Sequence, residues 1–180
     1  MQRASNSLIP IKRSRRASML AELPMILWAV LMVIAFPLLD LTTVFLRISF
    51  LYGGIHFASI SAGRANSFSR PIDGKPSAQA EALSKLSQIE KGFSGLSIKN
   101  INTAILVTHN DTLAVTSQFV PLAVPADQSV NSYQIEVSAD CSADPLIPIP
   151  IPFKIEGLNA PITVHLSAKQ YCENPQGLTI

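Results

Sequence analysis

Charged residues are scarce in this sequence, at 14% of 180 positions, whereas about a quarter of a typical soluble domain is charged. The length allows one domain and an anchor, not two large domains. The charge is unevenly spread: residues 1–17 hold five basic and no acidic side chains, and the remainder holds nine basic and twelve acidic ones. Because the body is slightly acidic, we expect no nucleic-acid partner.

Sequence signatures of catalysis and cofactor binding are also missing. There is no GxGxxG or GxxxxGK[ST] motif for a nucleotide. His56 and His165 have no partners at metal-ligand spacing, so we expect no metal and no cofactor. His109 and Asp111 are interpreted as polar residues of a turn rather than as parts of a Ser-His-Asp site. A membrane-tethered hydrolase therefore has the least support, and we expect a protein that is not an enzyme.

Cysteine occurs only twice, as Cys141 and Cys172, 31 positions apart and without a CxxC motif. If the distal half of the chain is extracytoplasmic, a disulfide between them is the natural expectation. Closing a loop of that length would contribute roughly 3–4 kcal/mol to stability. Two unrelated buried thiols are the alternative.

Against this scarcity of charge stands one long apolar run, LPMILWAVLMVIAFPLL, at residues 23–39. Residues 23–42 are enough for the roughly 20 positions with which a helix crosses a bilayer core. The run is longer than the apolar part of a cleaved signal, which is about 7–15 residues. Pro37 is expected to kink the helix. We therefore predict a single membrane span in contact with the lipid bilayer.

Basic residues give the direction of this span. Four basic residues precede the span closely: Lys12, Arg13, Arg15 and Arg16. Only Arg47 follows it within a similar distance. Because basic residues stay in the cytoplasm, the N-terminus is predicted to be cytoplasmic and the chain beyond about residue 43 to lie outside. Asp40 and Arg47 lie two turns apart on one helix face, either as interhelical contacts or, as we favour, marking the outer interface.

Beyond the span the pattern changes from helix to strand. Helical spacing continues from Thr42 to Phe68, and an amphipathic stripe predicts a second helix over residues 76–91. Alternating or β-branched segments predict strands around 101–109, 112–116, 133–138 and 162–167. Prolines at alternate positions of 145–152 predict an extended connector rather than a central strand. The fold class is α+β: a long N-terminal transmembrane helix continuing into a small domain with one further helix and an antiparallel β-sheet.

The stretch RRASMLAELPMILWAVLMVIAFPLLDLTTVFLR resembles the N-terminus of TadE-like pseudopilins of bacterial tight-adherence (Tad/Flp) pilus systems. Those chains begin with a basic patch, a small residue, four further residues, a glutamate and a long apolar helix. Here the small residue is Ala17 and the glutamate is Glu22. YQIEVSAD, PLIPIPIP and ITVHLSAK are similar to that family's strand, proline-rich link and strand.

The resemblance implies that a prepilin peptidase cleaves between Ala17 and Ser18, although the family usually has glycine where this chain has Ala17. Glu22 would then lie one turn from the new amine of Ser18. In an assembly of parallel helices its carboxylate would pair with a neighbour's amine. Alternatively, Glu22 sits among lipid headgroups near Arg15 and Arg16.

The resemblance implies a minor pseudopilin or assembly factor in the bacterial inner membrane. Its partners would be other pilin-like subunits and pilus assembly proteins. We divide the chain into three parts. Residues 1–17 form a basic cytoplasmic leader, residues 18–70 a membrane-spanning and extended helix, and residues 71–180 a periplasmic α+β domain. A single-span membrane protein whose outer domain binds a partner unrelated to pili is the alternative.

Overall fold

The computed structural model describes residues 15–148 and 152–180, and it describes side-chain surroundings from residue 22 onward. Helix α1 spans Arg15–Val30, a π-helical turn spans Leu31–Ala35, and α2 spans Phe36–Gly63. The π turn comes just before Pro37, which has no N–H to donate and whose ring would clash with the carbonyl four residues back. The helical hydrogen-bond pattern is thus altered just before Pro37, and the kink itself stays a prediction.

The part of α2 from Leu39 onward belongs to one compact unit with the rest of the chain, Leu39–Ile180. Its inner stripe, which includes Val44, Leu51 and Ile55, is buried. The spacing of these side chains by seven and four residues is the helical period predicted from the sequence. The helix continues through Gly53–Gly54. The missing side chain of Gly54 leaves room for Ile89, since a Cβ there would lie 2.6 Å from Ile89 Cδ1.

Helix α3, Ala78–Gly92, is the predicted amphipathic helix. The hydroxyl of Ser77 caps it by accepting a 3.4 Å hydrogen bond from the Ala80 N–H, which satisfies one of the free donors of the first turn. Glu81 and Lys85 form an i,i+4 ion pair on this helix, at 3.9 Å. Ala82 and Leu86 on its inner side are fully buried.

Four strands form one antiparallel sheet in the order β2-β1-β3-β4. Their bounds are Leu96–His109 for β1, Val115–Gln118 for β2, Asn131–Ala143 for β3 and Ile162–Tyr171 for β4. In the central strand β3 every second residue from Tyr133 to Ala143 is buried, and the residues between them are partly exposed. The predicted α+β fold with a further helix and an antiparallel sheet is thus confirmed.

One hydrophobic core joins α2, α3 and the inner face of the sheet. Phe68, in the connection between the helices, is fully buried within it. The N–H groups of Phe68 and Ser69 donate to the carbonyl of Ile180, at 3.0 and 2.9 Å. This places the 3₁₀ turn Pro175–Thr179 against the helix connection, and Leu178 adds to the core.

Substitution of Gly177 by alanine is expected to destabilise the domain strongly. A Cβ at this position would lie 1.8 Å from the carbonyl oxygen of Asn66, so backbone must move. Gly53→Ala is the matched control, because a Cβ there meets nothing within 4 Å and alanine favours a helix over glycine by about 1 kcal/mol. Urea unfolding of both variants should show opposite shifts in midpoint; an unchanged midpoint for Gly177→Ala would contradict the close approach.

Candidate functional site

The outer side of α2 remains apolar after the helix has joined the folded domain. Six large apolar side chains point away from the core, each about half exposed or more; we call them the outer face of α2: Leu41, Phe45, Leu46, Phe50, Tyr52 and Phe57. Two of them have partial cover, since Phe50 stacks on Phe93 at 5.1 Å and the Lys85 ammonium lies 5.7 Å from the ring of Phe57. Phe45 is the most open, at 71% exposure. An apolar area of this kind is typical of an interaction surface.

The N-terminal part of the helical stretch is more apolar still. Glu22–Gly63 is long and apolar enough to cross a membrane by length and composition. Leu23, Met25 and Trp28 are each at least 60% exposed. Side chains of this kind, uncovered by protein, are those that a bilayer accommodates without cost.

The predicted topology and processing residues lie at the edge of the described chain. Lys12 and Arg13 lie outside the described residues. The backbone of Arg15, Arg16, Ala17 and Ser18 is helical within α1, but their side chains lie outside the description. Glu22 is exposed on the same helix, one residue before the apolar run. Cleavage at Ala17–Ser18, orientation by the basic residues and charge pairing by Glu22 stay predictions.

Asp40 is a buried group that connects α2 to the segment after β3. It has no exposed surface, and its Oδ1 accepts a 2.9 Å hydrogen bond from the backbone N–H of Ile147. Two turns further along, the guanidinium of Arg47 donates to the carbonyl of Asp144 and covers Gly95. Both residues thus make contacts within the domain. Neither of the two roles considered from sequence described these contacts, because the partners lie about a hundred positions away.

The predicted Cys141–Cys172 disulfide is wrong, since both cysteines are free. The Cys172 N–H donates to the carbonyl of Tyr133, whereas Cys141 pairs with Val164. Tyr133 and Cys141 are eight positions apart on β3, or roughly 26 Å at about 3.3 Å per residue. A disulfide requires Cα atoms within about 7 Å, so the register of the sheet forbids this bond. The alternative of two unrelated thiols is the one found.

Alkylation should therefore find two thiols without any reductant. Burial raises the pKa of Cys141 to about 11 and also raises the pKa of Cys172. Because the thiolate is the reactive form, labelling of Cys141 at neutral pH should be slow in the folded protein. In urea, both cysteines should react equally with and without prior reduction, as counted by intact mass. Labelling that needs a reductant would contradict the free thiols.

A polar cluster on the opposite, open face of the sheet was missed by the sequence analysis. His165 Nδ1 lies 2.8 Å from Asp140 Oδ1, and the Asn100 amide donates to Asp140 Oδ2 at 2.7 Å. Hydrogen bonds from Asn100 and His165 lower the pKa of the Asp140 carboxyl. Asn100 has a φ of 51°, a backbone conformation that asparagine tolerates, and it lies where the pairing of β1 with β3 shifts register. The pair is exposed to water, so it is expected to add little stability.

His109 is a polar residue of a turn, as predicted from the sequence. Its Nδ1 accepts hydrogen bonds from the N–H groups of Asp111 and Thr112, at 3.3 and 3.4 Å. This ring therefore caps the turn between β1 and β2. Among the described residues, no group of three or more His, Cys, Asp or Glu side chains is placed to hold a metal ion.

Fold and surfaces together define an α+β domain joined to a helix that is long and apolar enough to span a membrane. Its exposed features include an apolar helix face, the outer face of α2. No protein-family model, curated protein or solved structure matches the chain.

Proposed function

We propose that this protein is a minor pseudopilin or membrane-anchored assembly factor of a Tad/Flp-type pilus. It is held by one helix in the bacterial inner membrane, with its N-terminus in the cytoplasm and its α+β domain in the periplasm. It acts without catalysis, through helix packing and protein contacts with pilin-like subunits and assembly proteins.

The observation that carries this proposal is the outer face of α2. A helix that only anchors a domain needs apolar residues within the bilayer and polar ones where it meets water. Here Phe45 and Phe57 are both more than half exposed on a segment whose other side is the core of the domain. A second helix laid along this side would bury several aromatic rings, each worth about 2 kcal/mol or more when fully covered. Neighbouring pilin-like helices supply such a surface.

Charge supports the same proposal at the other end of the helix. The five basic residues of the leader favour a cytoplasmic N-terminus. Glu22 precedes the apolar run, where a carboxylate is costly unless a cation is near. A neighbouring subunit's amine at Ser18, created by a prepilin peptidase, would be that cation.

A second apolar cluster favours the alternative, a single-span protein whose outer domain binds a partner unrelated to pili. Around β2 five residues are at least 60% exposed: Leu113, Val115, Phe119, Val120 and Val124. This cluster is not part of α2 and would suit a protein partner of the domain. The two functions therefore predict contacts at different phenylalanines.

Site-specific photo-crosslinking tests the proposal. A benzophenone analogue of phenylalanine is placed at Phe45 or at Phe119, in cells that produce the pilus. These positions are matched in residue type and exposure, at 71% and 62%. We expect Phe45 to crosslink to pilin-like proteins, identified by mass spectrometry, because helix packing brings their helices onto the outer face of α2.

Crosslinks from Phe119 to proteins outside the pilus system, with none from Phe45, would favour the alternative. Intact mass of the mature chain tests processing independently. Cleavage after Ala17 should give a smaller form that disappears when Ala17 is replaced by a bulky residue.

A further inference from the structure

The segment after β3 presents large apolar side chains to its surroundings. We call the described residues 144–148 and 152–160 the apolar loop. Leu146, Ile147, Phe153 and Ile155 are 54%, 45%, 60% and 36% exposed. Several exposed large apolar side chains within one short segment are typical of an interaction surface.

Contacts with α2 fix the position of the apolar loop. Its beginning is held by the hydrogen bond from Ile147 to Asp40 and by the bond from Arg47 to the carbonyl of Asp144. Its end lies near Leu41, whose Cδ2 is 3.5 Å from the place of a Cβ on Gly157. Both ends of the loop therefore contact the segment of α2 between residues 40 and 47.

Hydrogen bonds also give the second part of the loop a definite shape. The Asn159 side chain accepts from the Ile155 N–H at 2.7 Å and donates to the carbonyl of Phe153 at 2.8 Å. The Gly157 N–H donates to the carbonyl of Ala160, also at 2.8 Å. Phe153 and Ile155 are thus presented by a hydrogen-bonded turn.

The edge of the bilayer falls at the same part of α2. The uncharged run begins at Leu23, and a bilayer core takes about 20 helical residues, which brings its boundary close to Asp40–Thr42. The loop is attached there. A bilayer boundary accepts both apolar side chains and basic residues that reach the headgroups, and Lys154 lies exposed between Phe153 and Ile155.

We infer that the apolar loop is a second membrane contact, inserted through Leu146, Ile147, Phe153 and Ile155 into the headgroup–acyl boundary of the leaflet from which α2 emerges. This inference rests on the membrane anchoring that is part of the proposed function. The occupant of this surface is lipid. The domain is then held to the membrane at two places, its helix and this loop, which restricts its rotation about the helix.

The inference also accounts for Asp40. Its carboxylate is fully buried, and Oδ2 has no hydrogen-bond partner among the described residues. A carboxylate at the edge of hydrocarbon is costly to expose to acyl chains. The loop donates one N–H to Oδ1, and the carboxylate is fully buried in the folded domain, so that apolar side chains rather than this carboxylate would face the lipid.

Tryptophan quenching by brominated lipid tests the inference in the full chain. The protein has one tryptophan, Trp28, inside the apolar run. Phe153→Trp, Leu146→Trp and Phe119→Trp are each made in a Trp28→Phe background. The variants are reconstituted into phosphatidylcholine vesicles that have two bromines near the headgroup end of one acyl chain. Phe119→Trp is the control, since Phe119 is similarly exposed but lies beside β2, far along the chain from the loop.

We expect the tryptophans at 153 and 146 to lose most of their emission, with a blue-shifted maximum, and the one at 119 to keep both unchanged. Water-like, unquenched emission from 153 and 146 would overturn the inference, provided that Trp28 of the wild type is quenched. A blue shift without quenching that disappears when the protein is diluted in lipid would also overturn it, in favour of a second copy. An unquenched Trp28 would instead refute the membrane anchoring itself.

Discussion

Replacement of Glu22 by alanine is expected to abolish pilus assembly while the protein still inserts into the membrane. The apolar run that drives insertion, residues 23–39, is unchanged in this variant. What is lost is the carboxylate that would pair with a neighbour's Ser18 amine. Because a minor pseudopilin would need this pair to join a neighbouring pilin-like helix, its loss would block the step at which this subunit enters the assembly.

The cost of an unpaired charge gives the reason for this expectation. A charged side chain costs about 2.5–3.5 kcal/mol at the centre of a membrane helix and less near its end, where Glu22 lies, and a partner offsets that cost. An amine left in the membrane without its carboxylate would disfavour the assembled state. Glu22→Gln, which keeps the size of the side chain but not its charge, should therefore abolish piliation as Glu22→Ala does. Glu22→Asp should retain part of the piliation.

Piliation, counted by electron microscopy, and membrane fractionation are the two measurements. Glu173→Ala is the control for removal of an exposed glutamate that lies outside both the apolar run and the apolar loop. Normal piliation in Glu22→Ala would favour the other interpretation, in which Glu22 sits among headgroups near Arg15 and Arg16.

Replacement of Phe68 by alanine is expected to lower the free energy of unfolding of the domain by about 3–5 kcal/mol. Phe68 is fully buried, between the helix connection and the C-terminal turn. Its truncation removes apolar contacts and leaves a cavity that the surrounding backbone cannot fill. Since domains are stable by only about 5–15 kcal/mol, this loss is a large share of the total.

Pulse proteolysis of the full chain in detergent, across a urea series, measures the loss in free energy of unfolding. It does not depend on the fluorescence of Trp28, which lies in the apolar run. Phe119→Ala is the matched control, since Phe119 is 62% exposed and an exposed substitution should change the free energy of unfolding by about 0.5 kcal/mol or less. Equal midpoints for the two variants would contradict the central place of Phe68 in the core.

Much of the fold was predictable because its elements have strong local periods. The alternation from Tyr133 to Ser138 predicted part of β3, and the pairing of β1 with β2 followed from the turn at His109–Asp111. Bounds were less accurate: α2 ends at Gly63 rather than near Phe68, and β1 begins at Leu96 rather than Ile101. The early start of β1 could not be predicted, because its first residues pair only with residues of β3 that are distant in the sequence.

The candidate site residues also differ in whether they could be predicted from the sequence. Glu22 could be singled out from sequence because a single charge beside an apolar run is visible locally. The contact of Asp140 with His165 could not, because the two residues are 25 positions apart and meet only through the pairing of β3 with β4. A signal did exist, since both residues occupy outward positions of alternating strands.

By itself, the sequence determined the elements of this protein: the apolar helix, the second helix, the alternating strands and the uneven charge. Each of these depends on neighbours within a few residues, because helix and strand periods are properties of the local backbone. Only the tertiary structure decided that Cys141 and Cys172 lie far apart, that Asp40 is buried and bonded to the Ile147 N–H, and that the outer face of α2 stays largely exposed. These outcomes depend on register and on which faces pack together. A one-residue change of register, for example, would turn the buried side chains of a strand to the other face of the sheet without altering any local pattern.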